Sequence, residues 1–185
     1  MPLSKMQIGR SGEALFSAIA TLTADGQLEL TGDFADDDHT DITARGHGAF
    51  RGLFIQVKTT THLNASHQVE GLTTLRIGAE PPEDPAFVYV FILLAGITIG
   101  TIWVVPSATF NRMAYRHEDA QGLTLAFRAY PDRDDRYASF RISPEKIGLH
   151  ILDLMKNLPD RRRPRFEGAS LIARMAAPHR SPTLA

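Results

Sequence analysis

Residues 87–105 read FVYVFILLAGITIGTIWVV, and how that run folds decides what kind of protein this is. No charged residue occurs from Pro85 to Asn111, so by length alone the run could span a bilayer. Three features argue for strands instead. The run is rich in β-branched and aromatic residues, Gly96 and Gly100 bracket its middle, and Thr98 and Thr101 lie near its centre. It reads as two buried strands, 87–94 and 99–105, turning around Ala95 and Gly96. Near-continuous apolar strands of this kind belong to a sheet covered on both faces. No membrane partner is expected. Residues 1–10 carry Lys5 and Arg10 but no apolar core of the secretory type, so a cytoplasmic location is expected.

Working outward from this pair, residues 10–24 place Leu15, Phe16, Ile19, Ala20 and Leu22 at helical spacing, with Ser11 as N-cap and Asp25-Gly26 as the stop. Strands follow at 27–31, 41–45 and 49–60, the last two joined by a turn at Gly46-His47-Gly48. In the third strand Leu53, Ile55 and Val57 alternate with Phe54, Gln56 and Lys58, so one face is core and the other sets an amide beside an amine. Residues 62–86 give no clear pattern. Beyond the apolar pair, a short helix runs from Pro106-Ser107 to Met113 or Ala114. Residues 123–130 and 136–142 read as a hairpin, and Ser143-Pro144 starts a helix ending near Asn157. A last helix is expected at 167–177, then a tail. The order predicts a mixed α/β architecture around one sheet.

Composition narrows the chemistry. The 185 residues fit one domain at roughly 100–200 residues each. Cysteine is absent, which excludes disulfides, thiolate metal sites and a thiol nucleophile. Lys plus Arg is 20 against 21 for Asp plus Glu, so a nucleic-acid partner would have to meet a local patch. Neither G-x-G-x-x-G nor a P-loop occurs, leaving nucleotide cofactors without a foothold.

Four residues form a constellation: Glu13 in the first helix, Asp41 opening the second strand, and Gln56 and Lys58 two apart on the third. A period of two puts Gln56 and Lys58 on one face, with Asp41 on the neighbouring strand. Carboxylate and carbonyl oxygens suit Mg²⁺, and a lysine beside such an ion can orient a water or steady a phosphoryl oxygen. Plainer roles exist for each residue. Glu13 near a helix start is favoured by the macrodipole, Asp38 competes with Asp41 among the acidic residues of the turn, and Gln56 and Lys58 could line the solvated face of an edge strand.

In order and spacing, Gly9-Arg-Ser-Gly-Glu13, Thr40-Asp41-Ile42 and Ile55-Gln56-Val57-Lys58-Thr59 resemble the PD-(D/E)XK nucleases, the restriction-endonuclease-like fold, over about residues 9–113. The match is to the Mrr-like branch of small endonucleases in which glutamine precedes the lysine. The resemblance implies a mixed central sheet flanked by helices with an α-β-β-β-α-β core, extended by a C-terminal hairpin and helix. It makes residues 1–157 the nuclease-like domain and 158–185 a C-terminal helix and tail. It implies a metal-dependent endonuclease acting on DNA, with Asp41, Gln56 and Glu13 holding Mg²⁺ (Mn²⁺ substituting), Lys58 in the chemistry, and the Val57 carbonyl completing the shell. Arg10, Thr59, Arg161, Arg162 and Arg163 are candidate nucleic-acid contacts. Cutting both strands would call for a homodimer or a second encounter. Gln56 is the departure from the commoner acid: it lowers the expected metal affinity and leaves open a non-catalytic module that binds nucleic acid or a protein.

The seven histidines show no paired metal spacing, and Ser107 lacks the G-x-S-x-G of a nucleophile elbow. They read as surface or loop residues and a helix cap, and Trp103 as core.

Overall fold

The computed structural model describes residues 3–32, 40–47 and 52–159. Asp38, the arginines from 161 to 165 and the helix expected at 167–177 lie outside them.

Helix α1 (Lys5–Thr23) leads into β1 (Leu28–Gly32), β2 (Ile42–Gly46) and β3 (Gly52–Thr60). Then come β4 (Val69–Leu75), β5 (Phe87–Ala95), β6 (Thr98–Pro106) and α2 (Ser107–Met113). Strands β7 (Tyr115–Asp119), β8 (Gly122–Ala129) and β9 (Arg141–Ile142) precede α3 (Ile147–Lys156). Six strands form a mixed sheet in the order β1-β2-β3-β5-β6-β9, and β4-β8-β7 form a second, smaller one. In the large sheet β3 and β5 run parallel, with Gln56 opposite Tyr89 and Lys58 opposite Phe91, and the other pairings are antiparallel. The crossover between that parallel pair passes through β4 rather than through a helix.

Three layers result, and they account for the apolar run. One face of β5 and β6 (Val88, Val90, Ile92, Ile102, Val104) packs with Phe16 and Ala20 of α1 and Ile151 of α3. The other face (Tyr89, Phe91, Trp103, Val105) packs with Phe127 of β8, Phe110 of α2 and Tyr137. Phe91 and Phe127 stack with ring centroids 3.8 Å apart, tying the two sheets together. Buried aromatic rings carry roughly 150–250 Å² each, so this second core anchors the small sheet. Among the described residues no helix is long and apolar enough to cross a membrane.

Four elements differ from the sequence expectation, one of them β7, where no strand is predicted. α1 starts at Lys5, because Ser4 caps it: the Gln7 amide donates to Ser4 Oγ and the Ser4 amide to Gln7 Oε1, a capping box. Glu13 therefore sits in the third turn, beyond reach of the helix-end dipole that would have explained it. Residues 69–75, within the stretch that gives no clear sequence pattern, form β4, whose alternation is hidden by Gly71 and the paired Thr73 and Thr74. Residues 136–142 do not pair with 123–130. The Asp135 carboxylate accepts from the Tyr130 and Tyr137 amides at 2.7 Å each, turning the chain away, and β8 pairs with β7 and β4.

Candidate functional site

Strand β3 is clamped from both faces near its C-terminal end. On one side α1 approaches so closely that a methyl group on Gly12 would run into Thr59 Oγ1. On the other, a Cβ on Gly71 of β4 would lie 2.6 Å from the Phe91 ring and 3.4 Å from Lys58 Cβ. The two glycines let a helix and a strand close on residues 58 and 59 from opposite sides.

Asp41 lies one residue ahead of β2, where the hairpin with β3 ends. Its amide donates to the Ile55 carbonyl at 3.0 Å, and its Oδ2 accepts the Val57 amide at 2.6 Å. The carboxylate thus takes the ladder position that the next β2 residue would have occupied, with its charge fixed against the backbone of β3. Past Asp41 this edge of β3 is not paired by β2.

Glu13 is half-buried on α1 beside this edge. Burial lifts its carboxyl above the ordinary 4.5 and the negative charge of Asp41 lifts it further, while Arg10 and Lys58 pull it back. Two carboxylates and two cations therefore share one electrostatic neighbourhood. The sign of the linkage follows. Glu13 ionised in the folded chain carries a cost absent from the unfolded one, so its contribution is most favourable in acid and declines as pH rises through the raised value. Without added metal, Glu13→Gln should melt at a higher temperature than wild type near pH 7 and converge with it below 4.5. A lower melting point for the variant at neutral pH would contradict this.

Gln56 is buried between the two sheets, 2% exposed, and Thr73 Oγ1 donates to its Oε1 at 3.4 Å. A solvated strand face does not explain Gln56, which is buried, and Lys58 lies past the last residue of β3 that β2 pairs. The face expected to be wet is roofed by β4. Lys58 and Thr59 are half-buried, and Arg10 is exposed. The structure thus brings Glu13, Asp41, Lys58 and Arg10 together, with Gln56 adjoining them from the interior. Among the described residues no three His, Cys, Asp or Glu side chains cluster as a ready metal cage.

Between the first turns of α1 and strand β4 an open cleft of about 280 Å³ lies against Lys58. Lys5, Thr60, His62 and Glu70 line it. Sequence reasoning passed over Lys5, His62 and Glu70, because no motif joins them and Glu70 belongs to β4, which gives no clear sequence pattern.

No protein-family model matches the sequence, and no curated protein matches it. The chain is similar to a bacterial homing endonuclease, I-Ssp6803I, at 14% identity and a TM-score of 0.52, over 81% of this chain and 93% of that one.

Proposed function

We propose that the chain is a metal-dependent endonuclease that hydrolyses DNA phosphodiester bonds at the edge of β3, on the PD-(D/E)XK plan with glutamine at the second acidic position. One observation carries the reading: Asp41 pinned to the Val57 amide, with Glu13 and Lys58 in its field, beside an open cleft, in a fold shared with a homing endonuclease. Burial raises the pKa of Glu13 and the Asp41 carboxylate raises it further, and a divalent cation between the two would relieve that repulsion. The donors are all hard oxygens, as Mg²⁺ prefers: Asp41, Glu13, the Gln56 amide oxygen and the Val57 carbonyl. When bound, the ion would polarise the scissile phosphate and make a water more acidic.

The remaining work falls to the protein. Lys58 holds the attacking water in line with the phosphorus and offsets the charge that builds on the non-bridging oxygens. Asp41 keeps its place through the Val57 amide, so the reacting groups need no rearrangement. A duplex cut on both strands would use two chains as a homodimer, or two successive encounters. In the test, purified protein with Mg²⁺ or Mn²⁺ nicks supercoiled plasmid and chelation stops it. Absence of nicking on supercoiled, linear and single-stranded DNA would overturn the proposal.

The buried Gln56 favours a second reading, a nucleic-acid-binding module without catalysis. Gln56→Glu separates the two. A third carboxylate in a dry position lowers the melting point without metal and tightens Mn²⁺ binding by at least ~10-fold, about 1.4 kcal/mol. Calorimetry with Mn²⁺, beside melts with and without it, reads both effects. Identical Mn²⁺ behaviour in variant and wild type would place Gln56 away from any ion and favour the module.

A further inference from the structure

We infer that the cleft beside Lys58 holds the sugar–phosphate backbone of the DNA strand being cut, with Lys5 and His62 as contacts to the phosphate next to the scissile one. This rests on the endonuclease reading and says where its substrate runs.

The cleft's charges point that way. Lys5 and Lys58 line it from α1 and β3, and His62 from the turn after β3. The Thr60 hydroxyl donates to the His62 carbonyl at 3.1 Å and accepts the His62 amide at 3.4 Å, so the turn that presents the imidazole is fixed. The one acid among the described residues of the lining, Glu70, is held by Arg128, whose Nε donates to Glu70 Oε1 at 2.7 Å. Arg128 thereby cancels the charge that would repel a phosphate, which makes it a positioning residue for this cleft. The apolar part of the wall, Ile8 and Leu72, suits a deoxyribose. At about 280 Å³ the space lies at the lower end of small-molecule sites, room for backbone rather than for a base pair.

The probe is a fluorescent 20-bp DNA duplex bound to the full chain, with Ca²⁺ replacing Mg²⁺, titrated over a range of salt. Lys5→Ala and His62→Ala are each expected to weaken binding about 3–10-fold, and Lys5→Ala to lower the salt slope by about one phosphate. Arg128→Ala should weaken binding as well, and adding Glu70→Gln should restore it, a rescue that a merely structural role for Arg128 would not produce. Wild-type affinity and slope in both Lys5→Ala and His62→Ala, in a protein that cuts DNA, would overturn the cleft and leave the nuclease standing. Weakened binding in a chain that never cuts would keep the cleft and remove the nuclease.

Discussion

Asp41→Asn and Lys58→Ala should each lower DNA cleavage by about 10²–10³-fold while leaving the chain folded, the size typical of removing one preorganised charge from a transition state. The two variants fail for different reasons. An asparagine at position 41 can still accept the Val57 amide that Asp41 Oδ2 now accepts at 2.6 Å, so the hairpin end stays closed and what is lost is the charge. Its Mn²⁺ binding should fall with its activity. Lys58 sits half-buried against Gly71 on the other side of the strand, and its loss removes one of the cations that face the cleft. Lys58→Ala should therefore keep its Mn²⁺ affinity, bind DNA somewhat more weakly and turn over slowly. Calorimetry with Mn²⁺, anisotropy with duplex DNA and single-turnover cleavage separate the two patterns. Equal loss of metal binding in both would deny Lys58 its separate role.

Gly12→Ala should be strongly destabilising. The added carbon meets Thr59 Oγ1 and lies 2.7 Å from Thr59 Cβ and Cγ2, so α1 has to lift off β3. Overpacking of this kind costs about 1–3 kcal/mol or more, and for a chain of this length each kcal/mol lowers the melting temperature by about 2–4 °C. The better helix propensity of alanine returns only ~1 kcal/mol of that. Thr59→Gly in the same chain should recover most of the loss. The shift also carries Glu13, one residue along α1, away from Asp41. Cleavage should thus drop further than in a variant of equal melting temperature altered in the distant aromatic core. An unchanged melting temperature would mean that α1 does not press on Thr59 as described.

How much of this was legible in the sequence differs from element to element. The pair β5 and β6 was plain, because strands buried on both faces leave an uninterrupted apolar run and Gly96, at φ 66°, marks the turn. Asp41, Gln56 and Lys58 were legible as a constellation because a hairpin and a period of two fix their relation locally. The depth of Gln56 was not, since the strand that roofs it pairs Val69 with Ala129 across a long stretch of chain. For Glu13 a helix start near Ser11 offers the dipole as a plainer explanation. The capping box at Ser4 moves that start back, so the residue is better explained by its carboxylate neighbour than by the dipole. The cleft was invisible for a related reason: Lys5, His62 and Glu70 meet only once α1 and β4 have closed on β3.

The first measurement to make is nicking of supercoiled plasmid by wild type and Asp41→Asn side by side, in Mg²⁺ and after chelation. A metal-dependent endonuclease at this edge of β3 predicts nicking by wild type in Mg²⁺ alone, with the variant at least ~10²-fold slower though it melts as wild type does. Nicking that survives chelation, or an Asp41→Asn chain that cuts as fast as wild type, would contradict it.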